Sequence, residues 1–198
     1  MASYNAPIAA LIPSGSSAID IGCGEGELIH LLENKSIKVK GLEIDAAKVS
    51  AAISHGLSVV QGDADHDLKH YPDAAFDYAI LAKTLQATKQ PKQVLVDLLR
   101  VAKHVVVVIP NFGYWKNRLY LLTKGRMPVT STLSYQWYET PNIHFCTLRD
   151  FVTLVGEIGA VIESRAYIDS AGKVHPFLGA SPRANLLGES ALFVLTKK

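Results

Sequence analysis

Ile19-Asp20-Ile21-Gly22-Cys23-Gly24-Glu25-Gly26, with Glu43 nineteen residues beyond Gly24, decides the fold. Apolar residues alternate with others as far as Asp20, three glycines then fall at alternate positions, and a helical pattern follows. That order predicts a strand running through a tight turn into a helix, where backbone can lie against a ligand with no side chain between. Glu43, at the end of the next strand, is placed to accept hydrogen bonds from a ribose diol. The expected ligand is a nucleoside-containing cofactor. The alternative is a turn that is glycine-rich for packing alone.

The kind of cofactor follows from what surrounds the glycines. A dinucleotide fingerprint needs its third glycine three positions after the second, and that position is Glu27. Glu25 and Glu27 at the helix start suit the macrodipole but repel a diphosphate. No G-x-x-x-x-G-K-S/T run is present, which removes the P-loop. A cofactor with adenosine and no phosphate fits better. The D-x-G-C-G-x-G string resembles the first motif of class I S-adenosylmethionine (SAM) methyltransferases, and the likeness covers residues 18–110 in the expected order. It implies cofactor contacts at Asp20, Gly22, Cys23, Gly24, Glu43, Ile44, Asp63, Ala64 and Ala82.

At 198 residues the chain is expected to form one domain, large enough for a central sheet covered on both faces. Apolar content of 48% and charged content of 19% are ordinary for a folded soluble protein. No apolar stretch approaches the ~20 residues that span a bilayer. Met1 to Ser17 lacks a basic region before its Ile8–Ile12 apolar patch, so no signal peptide is expected. Cys23 and Cys146 are the only cysteines, which points to a reducing cytoplasm and to neither a disulfide framework nor a zinc site. A net charge of +2 leaves no electrostatic footprint for nucleic acid.

Strands and helices alternate through the first half. Strands are expected at residues 18–21, 39–44, 57–61, 76–82 and 105–109. A helix follows from Asp45, and another opens at Pro91 with Val94, Leu95, Leu98, Leu99 and Ala102 facing the sheet. Such alternation predicts a doubly wound, mainly parallel sheet. Residues 111–146 are rich in aromatic, basic and turn residues and read as a helical, aromatic lid insertion, too short to bury its own core. Thr147 with Asp150 marks a further helix start. Residues 160–168 and 190–196 read as two closing, antiparallel strands, joined by a loop over 169–188.

Several residues could carry chemistry. Asp63, after the third strand, stands where class I methyltransferases place an acid that reads the adenine amino group, with the following amide at Ala64 meeting a ring nitrogen. Alternatively it is a turn aspartate bonding its own backbone. Asp63-Ala64-Asp65-His66-Asp67 lacks the Gly and Glu of an EF-hand and reads as a solvated acidic loop, with no metal expected. Leu81-Ala82-Lys83-Thr84 replaces the Asn/Asp-Pro-Pro-aromatic motif of DNA and protein amide methyltransferases, which disfavours that chemistry. Lys83 and Gln86 are candidate contacts near the methionine end of the cofactor. In the lid, Trp115, Leu119 and Leu122 are expected to pack on the sheet edge, with the helix charges in water. His144 and Tyr138 are the candidate catalytic residues there. Methyl transfer demands no base if the nucleophile is already ionised.

A closer likeness lies in Gly125-Arg126-Met127-Pro128-Val129-Thr130, in Trp137-Tyr138-Glu139-Thr140-Pro141-Asn142-Ile143-His144, and in Cys146-Thr147 with Asp150-Phe151. Gly41-Leu42-Glu43-Ile44-Asp45, Thr84-Leu85-Gln86-Ala87 and Pro110-Asn111-Phe112-Gly113 share it. Together they closely resemble the MetW family of methionine-biosynthesis proteins, with Ser134 and Glu139 as mild departures. The resemblance implies a Rossmann-like class I methyltransferase fold, a mainly parallel seven-stranded sheet whose last strand is antiparallel. It also implies a role in making methionine from homoserine, and association with homoserine O-acyltransferase.

Three functions from different classes follow. The first is an accessory protein that binds SAM or S-adenosylhomocysteine and supports the acyltransferase. The second is an active methyltransferase on a small-molecule acceptor. The third, disfavoured by the glycine spacing, is an NAD(P)-dependent oxidoreductase.

Overall fold

Strand β1 (Ser17–Ile21) has parallel neighbours on both sides, β2 (Lys38–Glu43) and β4 (Phe76–Ala82). Its residues Ala18 to Ile21 are all buried, as a strand covered on both faces requires. The computed structural model describes residues 4–130 and 133–198, so the first three residues of the N-terminal stretch lie outside the described residues. The sheet continues outward through β3 (Val59–Gln61) on one side, and through β5 (Ala102–Pro110), β8 (Ser190–Thr196), β6 (Val161–Ile168) and β7 (Val174–Pro176) on the other. Strands β1 to β5 are parallel, and β8 inserts antiparallel between β5 and β6. The mixed α/β sheet with a reversed last strand is the expected class.

Side-chain alternation divides the core in two. Val105, Val107 and Ile109 of β5 face α5 (Pro91–Val101) and α7 (Leu148–Glu157). Val106 and Val108 face the side packed by α1 (Asn5–Leu11), α2 (Glu27–Glu33) and α3 (Ala46–Ser54). The start signals hold: Pro91 opens α5, and Thr147 and Asp150 form both bonds of a capping box on α7. Asp45 caps α3 by accepting from the amides of Ala47 and Lys48.

The 169–188 segment is a correction. It holds a strand beyond the seven expected, β7, which makes the sheet eight-stranded, and a short helix, α8 (Pro182–Leu187); the four-residue α4 (Ala64–Asp67) lies earlier in the chain. Three and six residues are too few to show a period, although Ser181 capping ahead of Pro182 is a legible start.

Helix α6 (Trp115–Lys124), within the segment expected to form a lid, is a second correction. Its buried residue is Asn117, whose amide donates to the carbonyls of Asn111 and Phe112 at 3.2 and 3.4 Å. Asn111 is itself buried and donates to the carbonyls of Asn185 and Gly188, both at 2.8 Å. This polar anchor fixes the rotation of α6, so Trp115, Leu119 and Leu122 point outward rather than onto the sheet edge. Among the described residues, no helix is long and apolar enough to cross a membrane.

Candidate functional site

Strands β1 and β4 are neighbours from which the chain departs in opposite directions, so the crevice beyond their C-terminal ends is the topological switch point. Gly22 leaves β1 with φ +69, and a β-carbon there would stand 2.5 Å from the Thr84 hydroxyl on the segment leaving β4. Gly24 also has positive φ, +59, but a β-carbon there would meet nothing within 4 Å. One glycine lets two backbones close; the other presents bare main chain to open space.

Glu43 locks this bend. It is 6% exposed, and its two carboxylate oxygens accept from the Gly24 amide at 2.8 Å and the Asp45 amide at 3.0 Å. Each oxygen keeps a further lone pair for a hydroxyl donor. The nineteen-residue spacing to Gly24 is therefore a direct contact.

Two hollows meet at Gly22. One, of ≈ 160 Å³, is walled by Gly22, Ile44, Asp63, Ala64 and Thr84. The other, of ≈ 380 Å³, is walled by Tyr4, Asp20, Gly22, Cys23, Gly24, Glu25, Glu27 and Ala82. Asp20, Gly22, Cys23, Gly24, Ile44, Asp63, Ala64 and Ala82 each line one or both, whereas Glu43 lies buried and bonded to Gly24, and Lys83 and Gln86 line neither. Tyr4, from the turn before α1, had no local signal, because its place depends on packing of α1 against α2.

The second hollow is acidic. Asp20 is 2% exposed, and its Oδ1 is buried without a protein hydrogen-bond partner. Burial, then the charge of Glu43, pushes its carboxyl up to about 8. Burial also raises the Cys23 thiol to about 12, so it is not a nucleophile at neutral pH. Between pH ~4 and ~8 the folded Asp20 holds a proton that the unfolded chain has lost, so stability falls as pH rises through that window. Asp20→Asn should abolish that slope, which is at most ~1.4 kcal/mol per pH unit. Melting curves from pH 5 to 8 check this; parallel losses in both proteins would refute it.

Asp63 caps α4: its carboxylate accepts from the Asp65 amide at 2.9 Å and contacts the His66 ring at 3.1 Å. The turn-aspartate geometry is thus present, with the side chain still lining the smaller hollow. The neighbouring acids are backbone clamps rather than merely solvated. Asp65 accepts from the amides of Lys89 and Gln90, both at 2.8 Å, and Asp67 accepts from the Asp63 amide at 2.7 Å. Among the described residues, no cluster of three His, Cys, Asp or Glu is placed to hold a metal.

Lys83 has a left-handed backbone, φ +63, and its ammonium stands 4.8 Å from the Tyr4 ring, with burial lowering its pKa. Gln86 is buried with Oε1 unpartnered, and its carbonyl accepts from the amides of Ile143 and His144. His144 and Tyr138 are exposed and line neither hollow at Gly22.

A family model described as "Methionine biosynthesis protein MetW" matches residues 3–195. A bifunctional methionine biosynthesis protein MetXA/MetW of Rhodopirellula baltica is 32% identical over 178 residues, 84% of this chain. The chain spans only 29% of that relative's length. A SAM-dependent methyltransferase structure from Thermotoga maritima aligns with TM-score 0.73 at 20% identity, covering 99% of this chain and 88% of that one. A putative methyltransferase of Haloferax volcanii, solved with its methyltransferase activator, aligns with TM-score 0.69 at 16% identity, covering 98% and 89%. At such identities these two structures carry the fold alone, which is that of the class I methyltransferases.

Proposed function

The chain belongs to the MetW family of methionine biosynthesis proteins, and from that premise we propose that it binds SAM or S-adenosylhomocysteine and supports a homoserine O-acyltransferase. The observation that carries the ligand is the acidic hollow beside bare main chain, where Asp20, Glu25 and Glu27 stand around Gly22–Gly24. The carboxylates of Glu25 and Glu27 repel the diphosphate of a dinucleotide, and the buried Asp20 favours a ligand whose far end carries a cationic group. When bound, SAM supplies a sulfonium-activated methyl group.

The residues present fit such a ligand. Gly24 leaves its cradle open, Glu43 retains lone pairs for the ribose diol, and Asp63 and Ala64 wall the smaller hollow on the adenine side. The orphaned Asp20 Oδ1 gains a cationic partner. That partner favours the ionised carboxylate, so affinity should rise with pH through neutrality, and Asp20→Asn should weaken and flatten that profile.

A supporting rather than catalytic role is favoured by the place of His144 and Tyr138, the two catalytic candidates, which lie off both hollows at Gly22. The acyltransferase partnership draws on the relative in which MetXA and MetW are one chain. Fusion keeps two modules at high effective concentration, which benefits parts that work in contact. Neither cysteine is in a disulfide, and the proposed location is the reducing cytoplasm.

The test is to purify this chain and the acyltransferase separately and assay homoserine acylation alone, mixed, and mixed with SAM. The expected result is a rate that rises on mixing and then changes with SAM. An acyltransferase indifferent to this chain would remove the supporting role.

A further inference from the structure

Helix α6 turns its apolar stripe to solvent. Trp115, Leu119 and Leu122 follow the i, i+4, i+7 spacing of one helical face, yet all three are exposed, Leu122 to 83%. An isolated globular surface shows the reverse arrangement, apolar stripe inward and polar face outward. Here the inward position is held by Asn117, and no described element covers the stripe. Beyond the helix, Trp137 and Tyr138 stand edge to face at 5.6 Å, 70% and 66% exposed. They share a hollow of ≈ 580 Å³ with Tyr120 of α6 and Arg126. Trp, Tyr and Arg are the residues that dominate binding hot spots.

Charge narrows the occupant. Residues 111–146 carry Lys116, Arg118, Lys124 and Arg126 against the single acid Glu139. A two-fold contact between copies would set this cationic rim against itself. An apolar groove with an acidic rim complements it. Helix-in-groove docking uses anchors at this spacing.

We propose that the outward stripe of α6, with Trp137, Tyr138 and Arg126, is the surface on which the homoserine O-acyltransferase docks. The assignment of the occupant rests on the partnership proposed above. The segment that follows Trp137 and Tyr138 along the chain is tied to the strand-end hollow at Gln86. The Gln86 carbonyl accepts from Ile143 at 2.9 Å and His144 at 3.1 Å, while its neighbour Ala87 and nearby Thr84 line the smaller hollow. A ligand beside Gly22 and a partner on the lid therefore bear on one loop, and partner affinity can respond to the ligand by its differential binding.

Calorimetric titration of the full chain into the purified acyltransferase tests this, with wild type and Leu122→Glu compared at low and high salt. Wild type should bind, and bind more weakly as salt rises. Leu122→Glu should bind about 30-fold more weakly or worse, with its melting temperature and SAM affinity unchanged. Trp137→Ala provides a second variant, with the same direction expected. Association of both variants at wild-type affinity would overturn the surface while leaving the partnership standing. Absence of any wild-type association would overturn both. Sedimentation showing a homodimer that Leu122→Glu dissociates would assign the stripe to a second copy and overturn the proposal.

Discussion

Gly24→Val is expected to yield a folded protein that no longer binds SAM. A β-carbon at Gly24 meets no protein atom within 4 Å, so the substitution adds no overlap inside the fold. Its cost to stability is the left-handed φ of +59, unfavourable for an L residue by ~1–2 kcal/mol and more for a β-branched one. The melting temperature should fall by several degrees. The branched side chain would occupy the space where ligand must lie against main chain, so affinity should fall on the order of 100-fold or more, about 2.7 kcal/mol. Gly22→Ala provides the contrast. Its β-carbon would crowd Thr84 at 2.5 Å, so its primary effect should be on folding. Thermal melts with and without SAM separate the two. Wild-type ligand stabilisation in Gly24→Val would remove Gly24 from the site.

Glu43→Ala should damage both stability and binding. The carboxylate, itself 6% exposed, is the acceptor for two part-buried backbone amides, those of Gly24 and Asp45. Losing these charged hydrogen bonds from partly water-exposed donors should cost up to ~1.5–3 kcal/mol of stability. Loss of the charged acceptor for a ribose diol should weaken SAM by a further ~1.5–3 kcal/mol, roughly 10- to 150-fold. Glu43→Gln would not rescue it, because an amide has only one accepting oxygen and two N–H donors are already aimed at the site. The charge of Glu43 also helps to hold Asp20 protonated, so its removal should lower the Asp20 pKa. Denaturant melts combined with titration at a temperature where the variant is folded measure both effects. A variant with wild-type affinity would show that Glu43 only shapes the turn.

Much of the site was legible because its logic is local. Gly22, Gly24 and Glu43 sit at the ends of two adjacent strands, so a spacing along the chain became a hydrogen bond of 2.8 Å. Pro91, Asp45 and the Thr147–Asp150 box likewise carry their start signals in their own chemistry. What failed depended on contacts far along the chain. The burial of Asn117 reverses α6, and its cause is a network reaching Asn185 and Gly188. Asp65 resembled a solvated acid until packing brought the Lys89 and Gln90 amides to it. Asp63 was ambiguous for a physical reason, because a carboxylate that caps a turn can still face a hollow.

Membership in the MetW family places the chain in methionine biosynthesis, and its fold is one on which many activities are built. The local site must therefore carry any claim about chemistry. Here that site is a pair of hollows with bare backbone between them and three acids on one side.

Equilibrium titration of the purified chain with SAM, S-adenosylhomocysteine, NAD⁺ and ATP addresses that site most directly. The expected result is saturable binding of the first two, each displacing the other, and no displacement by either phosphate-bearing nucleotide. Binding of NAD⁺ or ATP in preference to SAM, or no SAM binding by a folded chain, would contradict a phosphate-free adenosine site at Gly22–Gly24.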